Sequence, residues 1–178
     1  MGSWIYLHMY AGGKSPLDLE AAYSAFIEKG IEFDNKFKRG LKGESGVTFR
    51  KYGLYECGGS FDSDVDDPCI VFAFSLKQFQ RLDESLQDKV YIDLVEVAHQ
   101  AHAGYVVVGI ESGDIDEDFI KVDGIRIFDD ESSRIRYLEE MWINEGFGAL
   151  IPEGVKLQEG EIWIKGYKIY RIQREKLN

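Results

Sequence analysis

"YVVVGI", residues 105–110, is an apolar run without alternation. A strand with one wet face alternates apolar and polar side chains, so an unbroken run is what a strand covered on both faces requires. "CIVFAF", residues 69–74, has the same character. Between the two, Leu86, Val90, Leu94, Val97 and Ala101 recur at helical spacing. That spacing predicts a helix over 86–102 with these side chains as its inner stripe. Upstream, "WIYLHMY" (Trp4–Tyr10) reads as a strand, with Ile5, Leu7 and Met9 on one face and Trp4, Tyr6, His8 and Tyr10 on the other. Leu19, Ala22, Tyr23, Phe26 and Ile27 predict a further helix, stopped by Gly30. "GVTFRKYGLYE" (Gly46–Glu56) is strand material broken at Gly53.

The element order through Ile110 is therefore strand, helix, strand, strand, helix, strand. It predicts an α+β fold in which an antiparallel or mixed sheet carries its helices on one face, in the ferredoxin-like β-α-β-β-α-β order. An extension follows. "GIRIFD" (Gly124–Asp129) adds a strand. "SSRIRYLEEMWINEG" (Ser132–Gly146) reads as a helix capped by Ser132 or Ser133, with Ile135, Leu138 and Trp142 inward. The alternation over 155–173 suits two or three antiparallel strands turning at Glu159-Gly160. The expectation is a single domain over 1–178, made of a ferredoxin-like core (1–112) and an extension on that core (113–178) with a C-terminal helix and β-hairpin.

A chain of 178 residues buries roughly 70% of its unfolded surface and stands without disulfides. Cys57 and Cys69 form no framework, and their scarcity fits a reducing compartment. No basic segment leads an apolar one at the N-terminus, and no apolar run approaches the ~20 residues that cross a bilayer. The expected location is cytoplasmic.

The net charge of −11 is unevenly spread. Residues 1–60 carry 8 Lys/Arg against 7 Asp/Glu, residues 61–131 carry 5 against 18, and residues 132–178 carry 8 against 7. The middle segment thus holds a net −13 between flanks of +1. A field of that sign repels phosphate backbones and anionic membranes and attracts basic surfaces. Neither nucleic acid nor membrane is expected as a partner.

"GGKSP" (Gly12–Pro16) ends like a phosphate loop, but the leading glycine's place is taken by His8, inside a strand. The stretch reads as a turn and a helix cap, with Ser15 as N-cap and Asp18 completing a capping-box-like pair. "FDSDVDDPC" (Phe61–Cys69) places Asp62, Asp64 and Asp66 as a calcium loop would, yet has Asp67 for the required glycine and Ala73 for the bidentate glutamate. Glu96, His99 and His102 follow at three-residue intervals, but at ~100° per residue the outer two lie roughly 120° apart, too splayed for one ion. Cys57 in "YECGGS" reads as a strand end and turn rather than a nucleophile with oxyanion donors. No cofactor, metal or catalytic residue is expected.

"ESGDIDEDFIKVDG" (Glu111–Gly124) crowds Glu111, Asp114, Asp116, Glu117 and Asp118 behind a central strand, and Asp129, Asp130 and Glu131 follow. Patches of one sign speed encounter with a partner of the other. These residues, with Asp62, Asp64 and Asp66, are the candidate contacts for a basic protein partner, a toxin or enzyme. Tyr and Trp on nearby strand faces are the candidate anchors. In physical type, though in no motif, the chain resembles the immunity proteins of bacterial toxin systems, which are small, acidic, cytosolic α+β inhibitors. The alternative is a metal-assisted enzyme built on carboxylates 111–118 with His99 or His102.

Overall fold

The computed structural model describes residues 3–11, 16–33, 43–62, 69–110, 119–122, 125–128, 138–144 and 162–171. The strands are β1 (Trp4–Tyr10), β2 (Ile31–Phe33), β3 (Gly43–Phe49), β4 (Leu54–Asp62), β5 (Cys69–Ser75), β6 (Tyr105–Ile110), β7 (Phe119–Val122), β8 (Ile125–Phe128), β9 (Leu138–Asn144), β10 (Ile162–Ile164) and β11 (Tyr167–Arg171). The helices are α1 (Leu19–Glu28), α2 (Leu76–Gln80) and α3 (Glu84–Gln100). Nine strands form one sheet in the order β10-β11-β9-β6-β1-β5-β4-β3-β2, and β7 and β8 pair separately. Every pairing in the large sheet is antiparallel.

The class is α+β, as the element order predicts, but the sheet is larger than the expected one. Three strands, β2, β3 and β4, stand between α1 and β5 where one was expected. The Gly46–Glu56 stretch divides at Gly53 between β3 and β4, and a short helix, α2, precedes α3. At the other side β9, β11 and β10 continue the sheet past β6.

β1 sits between β5 and β6, with Leu7 opposite both Phe72 and Val108. Ile5, Leu7 and Met9 face the same side as Ile70, Phe72, Phe74, Val106 and Val108, and all belong to one core cluster with the inner residues of α1 and α3. Tyr105 through Val108 are nearly inaccessible on both faces, which is why that run does not alternate.

α1 is capped by Asp18, whose carboxylate accepts from the Ala21 amide at 2.9 Å. This corrects the expected Ser15 cap, a residue outside those described. Leu17 and Ala22 are both buried, at the positions that staple a helix entry. The α1 stripe centres on Ala22, Ala25 and Phe26, which leaves Ile27 46% exposed on the far side of the helix axis. α3 is capped by Asp83, which accepts from the Leu86 amide, and buries Val90, Leu94, Val95, Val97 and Ala98. Its C-terminus closes with the Ala103 amide donating to Ala98 O and the His102 amide to His99 O, with His102 in the left-handed region (φ 58). The Tyr167 hydroxyl reaches the Ala98 and Ala103 carbonyls at 3.0 and 2.6 Å, tying β11 to the same helix end.

Leu94 has no accessible surface. Leu94→Ala is expected to cost about 2–5 kcal/mol, the range for emptying a packed leucine site, read as a lowered urea midpoint with unchanged slope.

The largest departure lies at 132–146. The expected helix is absent over 138–144, which form strand β9 between β6 and β11. Trp142 is buried as expected, but by the alternation of a strand, with Val106 and Ile169 as its cross-strand neighbours. Leu, Glu and Met favour helices by a few tenths of a kcal/mol each, and a sheet pairing along both edges outweighs that. The hairpin β10–β11 turns at Lys165-Gly166, both at positive φ (52 and 82) as a two-residue primed turn demands; the expected turn at Glu159-Gly160 lies outside the described residues. The Gly124–Asp129 stretch does supply a strand, β8, though in the separate ribbon.

Candidate functional site

The face of the sheet opposite the helices carries Trp4, Tyr6, His8 and Tyr10 of β1, which alternate with the core residues Ile5, Leu7 and Met9. Towards β6 and β9 this face is closed, since His8, Tyr10, Tyr105, Val107, Met141 and Ile143 are all buried. Towards β5, β4 and β3 it opens into a cleft of about 450 Å³. Trp4 and Tyr6 form an aromatic wall, Val71 and Ala73 an apolar floor, and Ser60 a polar margin, while Gly46, Gly58 and Gly59 present only backbone.

The cleft exists because of where the glycines fall. Gly46 and Gly58 are register partners across β3 and β4, so two adjacent positions lack side chains. A Cβ built on Gly58 meets nothing within 4 Å. Gly59 serves the other face, where a Cβ would stand 3.2 Å from Val47 Cγ2 and 3.5 Å from Phe33 Cε1. Cys57-Gly58-Gly59 is therefore not the strand end and turn that its composition suggests. β4 runs through it because β5 pairs with Cys57 through Asp62 without interruption.

Acidic positions border this cleft. Glu56 is exposed two residues before Gly58, Glu44 is the register partner of Ser60, and Asp62 closes β4 opposite Cys69. Among the described residues, no Lys or Arg occupies the alternate positions 4–10 of β1, 69–75 of β5, 56–62 of β4 or 44–48 of β3 that carry the cleft face. The Gln78 side chain holds the start of β4 by accepting from the Tyr55 and Glu56 amides at 2.9 and 3.0 Å.

Of the acidic candidates, Asp62 alone falls within a described strand. Asp64, Asp66, Asp67, Glu111, Asp114, Asp116, Glu117, Asp118, Asp129, Asp130 and Glu131 lie outside the described residues. Their anchor points are nonetheless fixed. Cys69, which follows the first acidic stretch, pairs with Tyr10, whereas Ile110, which precedes the second, pairs with Ile5. The two stretches therefore attach at opposite ends of β1, roughly 17 Å apart at ~3.4 Å per residue. The cleft, with Trp4 and Tyr6 as its wall, stands nearer the Ile110 end.

The Glu96-His99-His102 series is divided by the end of α3. Glu96 is ion-paired with Lys29 of the α1 end, His99 is exposed in the last turn, and His102 has left the helix into the left-handed region. Among the described residues, no group of three or more His, Cys, Asp or Glu side chains is placed to hold a metal ion.

Cys57 donates its thiol hydrogen to Leu54 O at 3.3 Å, and burial pushes its pKa up to about 12. A thiol so held is a poor nucleophile at neutral pH. The shift has a consequence for stability. The unfolded thiol ionises near 9 and the folded one near 12, so its contribution is complete below the lower value and is lost as pH rises through the higher. Tyr52 and Tyr167 act in the same direction, because burial raises both their pKa values. The expected result is a urea midpoint that falls as pH rises from about 9 towards about 12, with a smaller fall in Cys57→Ala. Equal falls would place the titrating group elsewhere.

No helix among the described residues is long and apolar enough to cross a membrane. No protein-family model matches the chain and no curated protein matches it, so the functional reading rests on its own residues.

Proposed function

We propose that this protein is a non-enzymatic binding protein of the cytoplasm that neutralises a basic protein partner through an acidic surface, in the manner of a bacterial toxin immunity protein. The carrying observation is the net −13 of residues 61–131 between near-neutral flanks. A field that concentrated accelerates encounter with a basic surface and rejects acidic ones.

Opposite attachment of the two acidic stretches bears on how the surface is used. A partner of ordinary size engages one end of the sheet first, and the 111–118 stretch is the stronger candidate because Asp129, Asp130 and Glu131 follow it in sequence and add to its charge. Glu111, Asp114, Asp116, Glu117 and Asp118 are then the principal contacts. Asp62, Asp64 and Asp66 belong to a secondary one. The same reading takes the spatial run β6-β1-β5-β4 as the fourth, first, third and second strands of a ferredoxin-like unit, with β2 and β3 inserted ahead of β4.

The test is affinity capture from the native host, followed by reconstitution with the purified captured protein. The expected partner is basic, binds directly, and associates more slowly as salt rises through the range where the screening length drops below ~10 Å. An acidic partner, or a complex indifferent to salt, would overturn the proposal.

A further inference from the structure

The cleft is the feature of the described surface that the acidic loops do not account for. Its chemistry is specific. One wall is two aromatic rings, the floor is aliphatic, Glu56 is exposed on a bordering strand, and no Lys or Arg occupies its strand positions among the described residues. We infer that this cleft receives an arginine side chain carried by a basic partner, an inference that rests on the proposed function and names how that partner is anchored.

The argument is one of fit. A guanidinium is planar, always charged and less strongly hydrated than an ammonium, so it stacks on Trp and Tyr faces at small desolvation cost. Its methylene stem suits an apolar floor such as Val71 and Ala73. The volume of about 450 Å³ accommodates the side chain together with the backbone that bears it. The paired glycines 46 and 58 permit that backbone to approach the sheet closely. Glu56, exposed two residues before Gly58 on the same strand, supplies the charge complementarity, which a neutral aromatic occupant would leave unused.

The experiment uses the full chain and three capped pentapeptides, Gly-Gly-Arg-Gly-Gly and its lysine and citrulline counterparts, at low salt. The readout is the indole N–H resonance of Trp4, assigned with Trp4→Phe. The arginine peptide is expected to shift it and to bind several-fold tighter than the lysine peptide, while the uncharged citrulline isostere leaves it unmoved. Gly58→Leu, whose Cβ meets no neighbour, fills the cleft from within and should weaken binding at least about tenfold with unchanged circular dichroism. Tyr6→Ala removes the second ring of the stacking wall without adding bulk and keeps the Trp4 indole as reporter, and should weaken binding independently of how Gly58→Leu folds.

Comparable binding of the citrulline peptide, or unaltered arginine binding in both variants, overturns the inference. If the variants bind normally while reversal of Asp116 and Glu117 abolishes binding, the acidic-loop reading stands and the cleft assignment falls. If no cationic peptide binds any form, the cleft assignment falls, while the acidic-surface proposal is decided by the salt dependence of the captured partner.

Discussion

Trp142→Ala is expected to destabilise the protein by about 3–5 kcal/mol, the cost of emptying a buried tryptophan site. For a chain of this length that corresponds to a fall in melting temperature of about 6–20 °C. Trp142 has no accessible surface. Its ring stands edge-on to Tyr91 of α3 at 6.1 Å, so it joins the helix layer to the sheet where β9 meets β6 and β11. Its indole N–H donates to the buried Glu140 carboxylate at 2.8 Å, and removing the ring removes that hydrogen bond from a group that burial makes costly to leave short of donors. Trp142→Phe separates the two effects, because it keeps most of the apolar contact and loses the donor, and should cost about 1–3 kcal/mol. Both are read from urea midpoints with the slope unchanged. A loss below about 1 kcal/mol in Trp142→Ala would place this residue outside the core.

Trp142 also shows where local sequence misleads. Its burial was legible, because Trp142, Leu138 and Ile135 are apolar at helical spacing. Its conformation was not, because Leu138 and Trp142 also satisfy a strand once β6 and β11 offer hydrogen bonds on both edges. The strand β1 and the helices α1 and α3 were readable for the opposite reason, since in each the period of the apolar residues admits one structure, and β5 and β6 were readable as short unbroken apolar runs of the kind a strand covered on both faces requires. Gly58 and Gly59 are a third kind of case. Two consecutive glycines read as a turn until the register of β4 against β5 and β3 is known, and only that register shows one facing an open cleft and the other a packed valine. The cleft itself was not legible, since it is made of side chains that are missing at positions adjacent in space and distant in sequence. Its wall was, in that Trp4 and Tyr6 were assigned to the face opposite Ile5 and Leu7 by alternation alone.

Reversal of Asp116 and Glu117 to Lys is expected to slow association with a basic partner by about tenfold or more at low salt and to flatten the dependence of the rate on ionic strength. The double change moves the net charge of residues 61–131 from −13 to −9 and inverts the sign at the centre of the 111–118 stretch. Charges at the rim of an interface act chiefly on encounter, because they remain hydrated in the complex and are screened by salt. The dissociation rate should therefore change much less than the association rate. The matched control is Asp64 and Asp66 reversed to Lys, an equal change of charge in the stretch that joins the sheet at the other end of β1. If long-range net charge alone steered the partner, the two double variants would slow association alike. If the end of the sheet that bears Ile110 is the one the partner meets, the 116/117 variant should be the slower by several-fold, and the difference should vanish near 1 M salt, where the screening length is ~3 Å. Association rates that ignore both variants and the salt concentration would reduce the acidic surface to solvation.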